Sequence, residues 1–359
     1  MPARQNAAMQ IFVDRFARAA SIAALAALAA CAGAPPSSSP LPAPPPADAV
    51  PAQPPAADGT RTARVAETGY ADARRRAALA SLNAARAAAG AGPLAHSPRL
   101  DRAATGHAAY LAANGFETTP SVHDERAGLP DFGGVDAFVR MRSAGYSFSY
   151  ASEVIGEIGA TSPAADCIGD LLDTIYHAAL LLSQVSEVGF GFGSGASAGL
   201  CTVDLATPLR GGAAQLPPAG AIVAYPGAGQ RVAGGSFRVD KESPRAAPGL
   251  LPGAEVGRPV LVGFRNQDWL RADPTRPVVT ITRFELSAAA GTVVPAVILA
   301  NAAVTGAGVI EDAALGSGFA VLVPTSPLPA GRYQVDLRAT IAGGRSLALT
   351  SWSFDVQPQ

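Results

Sequence analysis

Near residue 206 the spacing of apolar side chains changes, and no single architecture accommodates both sides of that change. Up to it, apolar residues recur at helical spacing, as in "YADARRRAALASLNAARAAAGAG" and "SPRLDRAATGHAAYLAANG". Beyond it the period becomes two: "AIVAYP", "SFRVD", "PVLVGF", "VVTITRFEL", "TVVPAVILA", "FAVLVP", "RYQVDL" and "LALTSWSFDV" alternate with clusters of proline and glycine. Short runs of this kind in close succession indicate a β-sandwich, assigned here to residues 220–359. Trp352, Phe354 and Val356 are expected to alternate inward on its last strand, and Tyr333, Val335 and Leu337 on the neighbouring one. A chain of 359 residues can bury two cores. The turning point, "ATPLRGGAAQLPPAG", reads as a linker over residues 207–219.

The helical side, residues 66–206, also contains strands. A glycine stop ends its first, alanine-rich helix. Ser97 as cap and Pro98 at the first helical position open the second. The loop "FETTPSVHDERAGLPDFGG" leads to a third helix, "VDAFVRMRSAGY"; Ser152–Ile158 reads as a strand; and Pro163 opens a fourth helix running unbroken through Leu182. "SEVGFGFG" and "GLCTVDL" close the unit as strands. Helices with strands gathered at the end suggest a sheet covered by helices rather than alternating parallel units, so the fold class is α+β followed by all-β.

At the N-terminus, Arg4, Arg15 and Arg18 precede "SIAALAALAA", which has the length of a signal-peptide core and is too short to span a bilayer. It ends in Leu28-Ala29-Ala30-Cys31, which resembles the lipobox of bacterial lipoproteins. Residues 1–31 are therefore expected to be a signal peptide, with Cys31 acylated and the protein anchored to a membrane through that lipid. Ala32 after the cysteine, rather than an aspartate retention signal, implies the outer membrane, on its periplasmic or its outer side. Residues 32–65 follow as a tether, with ten prolines between Pro35 and Pro55; in polyproline II geometry it reaches on the order of 90 Å. In such an oxidising compartment the remaining cysteines, Cys167 and Cys201, are expected to pair. A net charge of −1 and the absence of a basic run give no footprint for a nucleic-acid partner.

The chain has four histidines. His177 lies in "DLLDTIYHAALLL", where counting 100° per residue places Leu171, Ile175, Ala178 and Leu182 on one face. His177 falls with Asp166, Asp170, Asp173 and Thr174 on the other, within an arc of roughly 130°. That stripe faces either water or a cavity. His123, Asp124 and Glu125 cluster in the long loop, and Glu153 and Glu157 share one face of a strand. Imidazole with carboxylate suits zinc or general acid-base work, although the spacing matches no compact metal motif. His107 is expected to make a structural hydrogen bond and His96 to lie at the surface. "GASAG" (195–199) satisfies G-x-S-x-G and "GFGFGSG" approaches a dinucleotide fingerprint, but neither is followed by the helix its chemistry requires.

Taken in order, "LNAARAAAGAGPLAHSPRLDRAATGHAAYLAANGF", the loop histidine, "RMRSAGY", "SEVIGE", "LLDTIYHAALLL" and "EVGFGF" resemble bacterial members of the CAP superfamily, the cysteine-rich secretory, antigen 5 and pathogenesis-related 1 proteins. The resemblance covers about residues 70–206. It implies an α-β-α sandwich with an open cleft floored by two histidines and acidic residues, able in some members to hold a divalent ion. By position, His123 resembles the loop histidine, Glu153 the glutamate of the usual "GEN", and His177 the histidine ending "W-x-x-S-P-G-H". Here "SEVI" replaces "GEN", Leu171 replaces the tryptophan, and Thr174 replaces a second glutamate. The cleft set is then His123, Glu153, Asp173, Thr174 and His177, with His123, Glu153 and His177 as ligands if zinc or another divalent cation binds. The second half resembles the immunoglobulin-like domains that follow bacterial CAP modules and reads as a spacer or binding module.

Three functions follow as expectations. The first is ligand binding in the cleft, of a lipid, a peptide or a wall component, without catalysis, because no activated nucleophile is present. The second is zinc-assisted hydrolysis with Glu125 as base. The third is adhesion through the sandwich.

Overall fold

The computed structural model describes residues 72–158, 162–194, 199–210, 215, 217, 221–242, 247–264, 279–316, 318–341, 345–346 and 351–358. The signal, lipobox and tether readings, and most of "GASAG", fall outside these residues. In the helical half, α1 (Ala73–Ala88) starts at Asp72, whose carboxylate accepts from the Arg74 N–H at 2.8 Å. β1 (Ala95–His96) precedes α2 (Pro98–Asn114), where Pro98 takes the first position but Ser97 makes no side-chain cap bond. α3 (Ala137–Ser143), capped by Asp136, leads into β2 (Phe148–Ile158). The single long helix expected after Pro163 is two, α4 (Ala164–Leu172) and α5 (Tyr176–Leu181), separated at Asp173–Ile175. β3 (Glu187–Ser194) and β4 (Gly199–Pro208) complete a four-stranded sheet of order β1-β3-β4-β2.

Alternation along the strands sends side chains to two helical layers. Val154, Phe190, Val203 and Leu205 face α1, α4 and α5, whereas Ala151, Ile155, Leu200 and Ala206 face the layer containing α2. The Cys167–Cys201 disulfide, with Cα atoms 6.4 Å apart, fastens α4 to β4.

The "GFGFG" run is a packing device. α2 lies with its backbone against β3: a Cβ on Gly189 would stand 2.2 Å from Leu100 C, one on Gly191 2.1 Å from Ala104 O, and one on Gly193 2.6 Å from Ala108 O. The register follows from geometry, because four helical residues advance about 6 Å and two strand residues about 6.6 Å, so every second strand position meets the next turn of the helix. Only glycine permits that approach. Gly191→Ala is accordingly expected to cost about 1–3 kcal/mol through forced separation of helix and sheet, measured by urea denaturation. Gly106→Ala, at a helical position with no neighbour within 4 Å, should instead be neutral or stabilising.

The second half forms a β-sandwich. One sheet contains, in order, β12 (Val304–Gly306), β10 (Val279–Ala288), β15 (Gly331–Ile341), β17 (Ser351–Gln357) and β6 (Arg231–Ala233), with β16 (Arg345–Ser346) beside β15. The other has β13 (Val309–Glu311), β11 (Ala296–Ala300), β14 (Phe319–Pro324), β9 (Val260–Phe264) and β5 (Ile222–Tyr225). A hairpin of β7 (Ser236–Arg238) and β8 (Glu255–Gly257) lies outside both. On β15 and β17, Tyr333 pairs with Phe354 and Val335 with Trp352, all buried.

Period two does not hold on β9 and β14, where every residue is buried. Val260, Val262, Ala320 and Leu322 face the sandwich interior. Leu261, Phe319, Val321 and Val323 face the other way, into one apolar cluster with Leu82, Ile168, Leu172, Leu181 and Phe190 of the helical half. Continuous apolar runs are what a sheet covered on both faces requires. The two halves therefore share a core.

Candidate functional site

α3 delivers Arg140 to the interior, between the long loop and β2. Its Nη2 donates to both carboxylate oxygens of Glu153 at 2.9 Å and to the His123 carbonyl at 3.0 Å. Its Nε lies 3.5 Å from Glu125 Oε1. Arg140, Glu125 and Glu153 side chains are each at most 2% exposed, so water does not screen these charges. Burial alone would raise the Glu153 pKa, but Arg140, His107 and His123 outweigh it and hold the carboxyl well below the usual carboxylate range.

The neighbouring residues separate into buried support and cleft lining. His107 on α2 places Nδ1 2.8 Å from Glu125 Oε1, and its Nε2 donates to the Val122 carbonyl at 3.0 Å. Glu125 Oε2 accepts from the N–H groups of Gly133 at 2.6 Å and Gly134 at 3.2 Å. This corrects the assignment of Glu125 as a base: it has no exposed surface, and both oxygens are engaged in holding the loop. His123, one third exposed, places Nδ1 3.0 Å from Glu153 Oε1. Since that carboxylate accepts, Nδ1 carries the proton and Nε2 is left available.

His177 is the second residue of α5. The break before α5 replaces the continuous helical count, and its side chain is only 14% exposed. His177 Nδ1 lies 3.1 Å from Thr174 Oγ1, whose hydroxyl donates to the Leu171 carbonyl, and 3.4 Å from Glu242 Oε1 of the second half. Burial, with His123 nearby adding to it, pulls the His177 imidazole down to about 4, so it is neutral at physiological pH. Glu242 is itself buried, and burial raises its pKa against the opposing pull of the Ile175, Tyr176 and His177 N–H groups.

Two of the expected positions are engaged in pairs. Asp173 carries an ion pair that the sequence did not announce: its carboxylate meets Arg258 of the second half, whose Nη2 donates to Oδ2 at 2.8 Å. His96 is not a surface residue, since its Nε2 lies 2.6 Å from Asp101 Oδ2 and its side chain is 13% exposed. Three functional positions went unread in the sequence. Arg140 looked like one of several helical arginines, and Glu242 belongs to the other half of the chain. Asp204, the lone acid of "CTVDLA", carried a usable signal, as a charge within a run buried on every side.

Asp204 is the cross-strand partner of Glu153. Burial first, and the adjacent Glu153 carboxylate second, hold its carboxyl protonated well above the usual range. It thereby donates to Glu153 where a second carboxylate would repel it. A raised carboxyl pKa contributes stability below the unfolded value of about 3.9 that is lost as pH rises toward the folded value. Asp204→Asn, which keeps the shape and the donor without the ionisation, is expected to stabilise the protein at neutral pH by more than the ~0.5 kcal/mol scatter of surface substitutions. Denaturation at several pH values would check this.

Among the described residues, no three of His, Cys, Asp and Glu converge as metal ligands. The donors left for a divalent ion are Nε2 of His123 and Nε2 of His177, because Glu153 is occupied by Arg140 and His123. Two imidazoles would leave the other positions of an ion to water or a ligand. They do not fit the three-ligand site that zinc-assisted hydrolysis would use.

Residues 79–205 match the family model described as CAP, the cysteine-rich secretory protein family. No curated protein matches the chain. Among solved structures, the chain is similar to PcoC, a methionine-rich copper resistance protein from Escherichia coli, at 17% identity over 37% of this chain and 93% of that one, with a TM-score of 0.21. It is likewise similar to CopC from Methylosinus trichosporium OB3b, at 16% identity over 38% and 90% of the two chains, with a TM-score of 0.22.

Proposed function

Residues 79–205 form a CAP domain of the cysteine-rich secretory protein family, and from that premise we propose that the protein is a non-enzymatic binding module of the bacterial cell envelope. Its cleft takes a divalent transition-metal ion, or a ligand carrying one, through Nε2 of His123 and Nε2 of His177. The observation supporting this is the common orientation of the two rings: each turns Nδ1 toward protein oxygens, and neither Nε2 makes a hydrogen bond among the described residues. Neutral imidazole is a good ligand for borderline ions such as zinc. Binding is favoured over hydrolysis because Glu125 and Glu153, the carboxylates a base would come from, are locked in buried pairs. The envelope location and the lipid at Cys31 belong to the same proposal, supported by the lipobox-like N-terminus and by a disulfide that suits an oxidising compartment. Residues 220–359, as an immunoglobulin-like sandwich, are the second domain in this reading.

Zinc titration calorimetry on the full chain tests it. Binding at micromolar or tighter affinity, lost in His123→Ala and in His177→Ala, is the expected result. Binding that survives either substitution would sink the two-histidine reading.

A further inference from the structure

The three residues that interrupt the expected helix, 173–175, and the first two of α5 are held largely from outside the CAP domain. Arg258 pairs with Asp173. Asp312 accepts from the Tyr176 hydroxyl at 2.7 Å. Glu242 accepts from the N–H groups of Ile175 at 2.7 Å, Tyr176 at 2.7 Å and His177 at 3.2 Å. All three belong to the second half of the chain, Glu242 and Arg258 beside the β7–β8 hairpin and Asp312 after β13, and lie beyond the segment 79–205. α5 has no side-chain cap of its own, so Glu242 supplies from the second half the acceptor that the first turn of a helix needs. The same carboxylate faces the ring that this turn carries, with Oε1 3.4 Å from His177 Nδ1.

We propose that the histidine site is built by both halves of the molecule, with Glu242 as the positioning residue that sets the His177 ring, keeps its proton on Nδ1 and turns Nε2 to the cleft. The inference rests on the reading that His123 and His177 form the binding pair. Its physical basis is local. Thr174 has given its hydroxyl hydrogen to Leu171 O, so Nδ1 faces two oxygens, Thr174 Oγ1 and Glu242 Oε1. A lone pair on Nδ1 would be repelled by both, whereas a proton there is attracted to both. Groups that fix the tautomer of a ligating imidazole are typically worth 10–100-fold in metal affinity. The second half is therefore not a spacer: a CAP domain cut away from it lacks the residue that aims His177.

The test uses the full chain labelled with ¹⁵N-histidine, whose imidazole shifts report which nitrogen is protonated; four histidines allow assignment by single substitution. In the unmodified chain His177 is expected as the Nδ1–H tautomer. Glu242→Gln, and Glu242→Asp in case the first fails to fold, should move it toward Nε2–H and weaken zinc binding roughly 10–100-fold. Tyr176→Phe, which breaks the junction bond to Asp312 without touching Nδ1, should leave the tautomer unchanged. An unaltered Nδ1–H tautomer with zinc affinity within about threefold, in every folded Glu242 variant, would overturn the proposal. A tautomer that shifts in a protein that never binds zinc would leave the positioning role standing and remove the binding reading alone.

Discussion

Arg140→Met is expected to lower the unfolding free energy by about 3–5 kcal/mol, the usual cost of removing one partner from a buried ion pair. The guanidinium neutralises two carboxylates, Glu153 at 2.9 Å and Glu125 at 3.5 Å, in a region with almost no solvent. Methionine fills much of the same space and leaves both carboxylates without their guanidinium partner. The effect has a pH signature whose sign follows from Glu153. A depressed folded pKa contributes stability that is complete above the unfolded value of about 4.3 and is lost as pH falls through the folded value. Without Arg140 the largest stabilising partner of the Glu153 carboxylate is gone and burial dominates, so the folded pKa rises and acid unfolding moves to higher pH. Arg140→Lys, which restores charge but not the planar guanidinium that sets Nη2 against Glu153 and the His123 carbonyl and Nε against Glu125, should fall between the two. Urea denaturation from pH 3 to 8 would measure both quantities. A loss below about 1 kcal/mol would mean that water reaches the network.

Removing the disulfide should be comparably costly. Cys167 and Cys201 are separated by 34 residues, and closing a loop of that size is worth about 4 kcal/mol in the chain-entropy model. The enclosed segment contains the rest of α4 after Cys167, α5 and β3, so it includes the break that presents His177. Cys167→Ala with Cys201→Ala removes the link while keeping both positions apolar. Comparing its denaturation midpoint and slope with those of the oxidised parent would separate a less constrained unfolded chain from a loosened native one. A double variant as stable as the parent would contradict this account of the link.

What the sequence could disclose divides along physical lines. Period two exposed the strands, and the pairing of Tyr333 with Phe354 and of Val335 with Trp352 follows from the same alternation. His123 and Glu153 were brought into one set by the resemblance to the CAP superfamily rather than by spacing, and they lie 3.0 Å apart. Contacts made across the chain left no local trace. The helix break at Asp173–Ile175 has no glycine or proline to announce it; Arg258, Glu242 and Asp312 accompany it from at least 65 residues away. "PVLVGF" and "FAVLVP" did carry the clue to the shared core, since a strand exposed on one face has no use for unbroken apolar residues. Glu125 was misread for a related reason: sequence shows an acid beside a histidine in a loop, but not that two glycine N–H groups, His107 and Arg140 occupy it from within.

The central claim, that two imidazoles share one open site in the cleft, is tested most directly by anomalous diffraction at the zinc edge from crystals of the full chain grown with the ion. The account predicts a single peak at ligand distance, about 2.0–2.1 Å, from Nε2 of both His123 and His177, with Glu153 still paired to Arg140. A peak on Glu153 or Glu125, or on only one of the two rings, would contradict it.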